Sequence, residues 1–232
     1  MSGGRQEQIL QYMRDGSSFV TVEQLEALLY VSAATVRREL HALEGGGLIR
    51  RTRGGALLIE VAAEDTPMLL REQQDVEEKR LIAARAMRYI RDDMTLFLDS
   101  SSTVYYLARC LKGFKNLRVI TNGIKTANCL ADTNGITVMC TGGIIRSGTK
   151  SAVGASALAY VRALHADAAF LSCRGFLPEK GAYESSEEEY YIKRLFLENS
   201  SQQYLLCSKG KVGTVFLYHL APPEAFSAII RE

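Results

Sequence analysis

An α/β fold in two unequal parts is predicted by three observations on this 232-residue chain. Three short helical stretches with apolar stripes, followed by a glycine-centred pair of β-prone runs, fill residues 1–58. From residue 76 to residue 232, short apolar strand-like runs alternate with helical ones, the pattern of a mostly parallel sheet covered on both faces. Between the two, residues 59–75 lose periodicity and contain Glu64-Asp65-Thr66-Pro67, which marks a linker. The length, more than one ordinary domain needs, agrees with two units.

In the first helix Ile9, Leu10 and Met13 form the stripe, and Asp15-Gly16-Ser17-Ser18 ends it. Thr21 is placed to cap the second, which carries Val22, Leu25 and Leu29. Ser32 is placed to cap the third, where Val36, Leu40 and Leu43 recur at i, i+4 and i+7 and turn Thr35, Arg37, Arg38 and His41 outward. Gly45-Gly46-Gly47 stops that helix. The runs around Gly54-Gly55 in Leu48–Leu58 then form a small hairpin or wing. In the second part the expected strands are Thr95–Leu98, Leu117–Thr121, Ile136–Cys140, Ala168–Ser172, Gln203–Cys207 and Ala228–Ile230, with helices near 104–111, 124–131, 155–164 and 187–198.

Composition narrows the function. The net charge of +2 names no partner, but five arginines (Arg37, Arg38, Arg50, Arg51, Arg53) against Glu39 and Glu44 give +3 within residues 32–56. A local basic cluster on a balanced chain is a surface built for phosphate. The five cysteines, at spacings of 19, 11, 33 and 34, form no CxxC pair. With only three histidines no metal-finger spacing can be assembled, so neither a metal nor a cofactor is expected. Buried reduced thiols are the plain expectation for cysteines in apolar runs. No secretory signal opens the chain and no apolar run nears the roughly 18–20 residues of a membrane span, so a cytoplasmic protein without a membrane partner is expected.

A helix striped like the third fits the major groove with its first turns against base edges. Thr35 and Arg37 are placed to reach bases there, while Arg38, Arg50, Arg51 and Arg53 suit the phosphate backbone; Ser32 and Gly54 complete the DNA-binding set. A solvated arginine face accounts for an isolated Arg-Arg pair, but not for the three-helix pattern, the glycine stop and a second arginine cluster together.

Three loops of the second part have the chemistry of an anion cradle. Asp99-Ser100-Ser101-Ser102-Thr103 follows one strand and opens a helix; Thr121-Asn122-Gly123 and Thr141-Gly142-Gly143 end the next two. In a parallel sheet all three fall at the carboxyl edge, where ligands bind. Ordinary turn chemistry explains each loop alone. Their recurrence at consecutive strand ends favours a shared site, to which Lys193 and Lys209 add charge for a phosphate.

At these residues a resemblance becomes specific. Residues 5–56, through Val31-Ser32-Ala33-Ala34-Thr35-Val36-Arg37-Arg38-Glu39-Leu40 to Leu48-Ile49-Arg50-Arg51-Thr52-Arg53-Gly54-Gly55-Ala56, resemble the DeoR family of bacterial regulators, with Glu39 where Asp is usual. Residues 71–230 resemble that family's sensor domain, through Leu98-Asp99-Ser100, Thr121-Asn122, Thr141-Gly142-Gly143, Gly175, Glu189 with Lys193, and Ser208-Lys209. The resemblance implies a winged helix-turn-helix followed by a sensor domain similar in fold to ribose-5-phosphate isomerase. It also implies double-stranded operator DNA as one partner, a small phosphorylated sugar as effector, and a homo-oligomer, dimer or tetramer. Asp99, Ser100, Ser101, Ser102, Thr103, Thr121, Asn122, Gly142, Gly143, Gly175, Lys193 and Lys209 form the implied effector site.

The departures fall at that site: three serines follow Asp99 where the family has Ser-Gly, Cys207 replaces an acid before Ser208-Lys209, and Cys173-Arg174 precedes Gly175. A sugar-phosphate isomerase or deaminase is the rival reading. It requires a positioned acid or base, for which Asp99 and Glu189 are the candidates; no catalytic residue is assigned. A ligand-free architectural DNA-binding protein is the third.

Overall fold

The computed structural model describes residues 3–15, 19–45, 48–52, 54–58 and 67–232. It divides into two compact units, Met1–Gln74 with Ser147–Thr149, and Asp75–Arg146 with Lys150–Glu232. Among the described residues no helix is long and apolar enough to cross a membrane.

The first unit contains α1 (Gly3–Asp15), β1 (Phe19–Thr21), α2 (Val22–Leu29), α3 (Ala33–Gly45), β2 (Ile49–Arg51), β3 (Gly55–Leu58) and α4 (Met68–Gln73). Its core is the set of stripes the periodicity marks: Ile9, Leu10 and Met13 from α1, Leu25 from α2, and Val36, Leu40 and Leu43 from α3, closed below by Ile49 and Ala56. Thr21 starts α2 as a capping box: Gln24 N–H donates to Thr21 Oγ1 at 3.1 Å, and Thr21 N–H donates back to Gln24 Oε1 at 2.8 Å.

The wing is larger than a hairpin, because β1 adds to it in the order β1-β3-β2, all antiparallel. Gly55 makes this possible. A Cβ there would stand 2.0 Å from the Val20 carbonyl oxygen, so only glycine lets β1 lie against β3. Residues 59–66 of the expected linker, and Arg53 of the wing, lie outside the described residues. The described end of that linker folds as α4, whose Leu70 is buried in the first unit's core. Six residues behind Pro67 are too few to show a helical period.

The second unit runs α5 (Val76–Ala86), β4 (Thr95–Leu98), α6 (Ser102–Ala108), β5 (Leu117–Thr121), α7 (Ile124–Leu130), β6 (Ile136–Cys140), β7 (Ile144–Arg146), β8 (Ser151–Val153), α8 (Ala155–Arg162), β9 (Ala166–Leu171), β10 (Gly175–Leu177), β11 (Gly181–Glu184), α9 (Glu187–Glu198), β12 (Ser200–Leu206), β13 (Tyr218–Ala221) and β14 (Ala228–Ile230). Six strands form one sheet in the order β14-β12-β9-β4-β5-β6, every pair parallel. Alternate residues serve opposite faces: Leu96 and Leu98 join one apolar core and Phe97 the other, while Phe170 and Leu171 divide likewise. Burial on both faces is why central strands such as β4 read as apolar runs. The hairpin β7–β8 and the small sheet β10-β11-β13 were not expected; their strands of three or four residues are too short to show alternation.

Strand order locates the crevice of the sheet. From β4 the chain proceeds to β5 and β6 on one side, then returns to β9, β12 and β14 on the other. The order therefore reverses between β4 and β9, and the crevice beyond their carboxyl ends is the usual binding position of an open α/β sheet. Asp99 follows β4, and Ser172 follows β9.

Candidate functional site

The basic face of the first unit is built by burial of its opposite side. With Val36, Leu40 and Leu43 inaccessible, α3 turns Arg37, Arg38 and His41 to solvent, with Thr35 partly covered. The Ser32 and Thr35 hydroxyls lie 3.3 Å apart at the helix start, and the Ser32 carbonyl accepts the Val36 N–H.

Both acids of this region are engaged by protein partners. Glu39 is only 2% exposed, accepting from Gln6 Nε2 at 2.9 Å and Arg5 at 3.5 Å, so it ties α3 to α1 rather than facing outward. Glu44 accepts the Arg51 N–H at 2.9 Å and its Nε at 2.6 Å, and these contacts hold its carboxyl below the usual range. Arg37, Arg38 and Arg50 are exposed and form no ion pair among the described residues, whereas Arg51 is held by Glu44. Gly54 is exposed, with open space where a Cβ would stand.

In the second unit the residues at the strand reversal form a buried charge cluster. Asp99 is inaccessible; its Oδ1 accepts the Ser101 N–H and its Oδ2 the Ser172 N–H, both at 2.9 Å, with Lys193 Nζ 3.3 Å from Oδ2. Asp99 thus fastens the β4 end to the β9 end. Lys193 also donates to the Ser172 carbonyl at 2.8 Å and pairs with Glu184 Oε1. Burial pulls the Lys193 ammonium down, but Glu184, Asp99 and Glu189 outweigh it and raise its pKa above the ordinary lysine value. Lys211, half-buried, donates to Thr103 Oγ1 at 3.4 Å and to Ser172 Oγ. Burial holds its pKa below the usual value, since no carboxylate sits as close as those around Lys193.

Ser101 caps α6 by accepting the Val104 N–H at 3.2 Å, and Ser102 and Thr103 are buried beside it. On the other side Glu189 accepts from Ser100 Oγ at 3.1 and 3.3 Å and from Asn122 Nδ2 at 3.4 Å. Thr121 Oγ1 accepts the Gly123 N–H at 3.0 Å, shaping that loop.

Asp99, Ser100, Thr103, Asn122 and Lys193 are therefore brought together. The glycines serve the backbone instead. Gly142 and Gly143 have φ of +67° and +101°, and Cβ atoms on Gly143 and Gly175 would stand 2.4 Å from the Val153 oxygen and 2.3 Å from the Thr214 oxygen. Lys209 lies apart: its side chain is exposed and pairs with Glu232, and its N–H donates to Glu78 at 2.6 Å. Lys211 occupies the place expected of it. Glu184 and Ser172 also escape the sequence reading: Glu184 ends β11 and Ser172 follows β9, and neither stands in the three loops read as an anion cradle. Cys173 and Cys207 lie just beyond β9 and β12. A hydrogen bond between their thiols and burial push Cys173 up, while the same bond draws Cys207 down.

Comparison with known proteins gives a consistent picture. A model described as the DeoR-like helix-turn-helix domain matches residues 5–62, and one described as the DeoR C terminal sensor domain matches residues 74–232. The HTH-type transcriptional regulator GolR of Listeria innocua is 33% identical over 228 residues, covering 98% of this chain and 89% of that protein. The glycerol-3-phosphate regulon repressor of Escherichia coli K12 is 30% identical over 214 residues, covering 92% and 84%. Among solved structures, a D-ribose-5-phosphate isomerase in complex with phospho-erythronic acid aligns over 59% of this chain and 54% of its own, at 13% identity and a TM-score of 0.43.

Proposed function

The chain belongs to the DeoR family of transcriptional regulators, and from that premise we propose that it represses carbohydrate-metabolism genes under the control of a phosphorylated sugar. It is a DNA-binding regulator with a winged helix-turn-helix and an α/β sensor domain, and its relatives include the repressor of a glycerol-3-phosphate regulon. The observation that carries the effector reading is the buried cluster at the strand reversal, where a half-buried ammonium, Lys211, faces the hydroxyl of Thr103 beside Ser102. Phosphate is the ligand group that such a cation and hydroxyls suit. Asp99 has both carboxylate oxygens engaged in fastening two strand ends, which favours a binding role over proton transfer.

In the same reading Ser32, Thr35 and Arg37 meet bases, and Arg38, Arg50 and Arg53 meet phosphates. Two copies at least, joined through residues 76–232, engage a repeated half-site in the cytoplasm, because one small module makes too few base contacts for useful specificity. Light scattering at micromolar concentration is expected to give a dimer or larger; a monomer with full operator affinity contradicts this.

Effector control requires that ligand prefer one state of the protein over another, and the coupling to DNA must be reciprocal. Ser102→Glu places a carboxylate where the phosphate is proposed to sit. The variant is expected to bind operator DNA as the wild type does, yet to lose the DNA response to whichever sugar phosphate raises the wild-type melting temperature. An unchanged response in paired gel-shift titrations removes this loop from the site.

A further inference from the structure

Charge at the strand reversal is distributed unevenly, and two buried polar atoms nearby form no hydrogen bond among the described residues. At one end Lys211 lies against Thr103 and Ser172. At the other the Glu189 carboxylate, 6% exposed, is bonded by Ser100 Oγ and Asn122 Nδ2. Ser100 and Thr103, which touch the two ends, are three residues apart, so their Cα atoms lie within about 11 Å of each other. Asn122 Oδ1 and Thr126 Oγ1, on residues 0% and 1% exposed, form no hydrogen bond among the described residues. Buried side-chain atoms seldom stay unpaired in a folded protein, so such a pair beside a ligand crevice points to a partner supplied from outside. Both residues flank Gly123, where a Cβ would stand 2.9 Å from Ser100 Cα, 3.2 Å from Thr126 Oγ1 and 3.4 Å from Thr121 Oγ1.

The chemistry of these groups restricts the atom they take. An amide oxygen only accepts, so Asn122 Oδ1 requires a donor. A carboxylate only accepts as well, and it repels anions, so an ionised phosphate oxygen is excluded from the Glu189 end. A carbonyl brings no proton to either. A hydroxyl both donates and accepts, and it suits Asn122, Thr126 and Glu189 together.

We infer that the effector site is two-ended, with the phosphate of a sugar monophosphate against Lys211 and Thr103 and its far hydroxyls against Asn122, Thr126 and Glu189. Thr126 is then a specificity residue for that hydroxyl end. This rests on the effector reading above and narrows it: Thr121-Asn122 receives hydroxyls, not the phosphate, and a sugar carrying phosphate at both ends is rejected.

The test titrates the full chain with inorganic phosphate, ribose 5-phosphate, glucose 6-phosphate and the 2-deoxy counterpart of each sugar. The wild type is expected to bind one of the two sugar phosphates at least tenfold more tightly than its 2-deoxy form. Thr126→Val removes the unpaired hydroxyl at nearly constant shape. It is expected to keep or raise the melting temperature, cut that discrimination to threefold or less, and leave inorganic phosphate binding unchanged. Thr126→Ser, which restores a hydroxyl, is expected to keep the discrimination, and Lys211→Gln to weaken every probe alike. A wild type that binds none of the four sugar phosphates overturns the effector reading and this inference with it. A wild type that binds a sugar phosphate while Thr126→Val discriminates as before, or while the 2-deoxy form binds equally, overturns the two-ended site alone.

Discussion

The basic face of the first unit and the charge cluster of the second both set cations among carboxylates, in opposite surroundings. On α3 and the wing, arginines stand in water and two acids are tied back, Glu39 to α1 and Glu44 to Arg51. At the strand reversal Lys193 is enclosed with Asp99 and Glu184 and near Glu189. An exposed ion pair contributes little, about 0–1 kcal/mol, because water and salt screen it. A buried charge stripped of its partners costs far more. Cations free for a polyanion must therefore be exposed, while cations that hold a fold can be buried only in company. The first unit keeps most of its cations exposed; the second encloses Lys193 among carboxylates and leaves Lys211 half-buried against the hydroxyls of Thr103 and Ser172.

The largest effect expected from this contrast is at Lys193. Lys193→Met leaves Asp99, Glu184 and Glu189 without their shared cation, and it should lower unfolding free energy by roughly 3–5 kcal/mol in urea titration. The pH dependence has a definite sign. The Lys193 pKa is raised on folding, so its stabilising contribution is fully present below the ordinary lysine value and declines only as the pH climbs through the raised one. The gap between wild type and variant should hold constant through neutral pH and narrow only in strong alkali. A variant as stable as the wild type at pH 7 breaks the contrast.

Much of this architecture is legible in the sequence, and the reasons for the exceptions are local. The bounds of β4, β5, β6 and β14 coincide with the apolar runs; the central β4 and β5 are mostly buried, and the edge strands β6 and β14 keep apolar residues though only partly covered. The strands β1, β7, β8, β10, β11 and β13 are set by their partners instead: Gly55 lets β1 lie against β3, Gly143 lies close against Val153 of β8, and Gly181 lets β11 lie against β13. The site divides in the same way. Asp99, Ser100, Thr103 and Asn122 stand at strand ends in recognisable loops. Ser172, Glu184 and Lys211 reach the cluster only because β9, β11 and the turn after β12 converge on it, and no window of sequence spans those elements. In Ser208-Lys209-Gly210-Lys211 the choice between two lysines rests on a single 3₁₀ turn, which aims Lys209 outward and Lys211 inward.

The next effect in size tests the exposed side of the comparison. Arg37→Ala should cost roughly 1–3 kcal/mol at a specific operator and relax preference at one base position. Arg50→Ala should weaken all sequences alike and reduce the salt slope by about 0.9. Gel shifts over a salt series separate the two, and a pair of variants indistinguishable from wild type removes α3 and the wing from the interface.

The smallest effect is the most discriminating, because it asks whether a paired arginine counts as free. Arg51 carries the same charge as Arg50 but is bonded through its Nε to Glu44 at 2.6 Å, and Glu44 is held below its usual pKa first by the Arg51 N–H and then by the guanidinium. A depressed carboxyl stays ionised throughout the range in which DNA binding is measured, so the pair persists there. To meet a phosphate with its whole charge, Arg51 must leave Glu44, and whatever holds that pair opposes binding. Arg51→Ala should therefore reduce the salt slope by less than Arg50→Ala does. Glu44→Gln removes the competing carboxylate, and it should strengthen binding to all sequences about two- to threefold and steepen the slope by up to about 0.9, one further phosphate contact. Equal slopes for the two alanine variants, with Glu44→Gln unchanged from wild type, would show that Arg51 exchanges Glu44 for phosphate without cost, and that surface pairing does not divide the cations of this face into free and held.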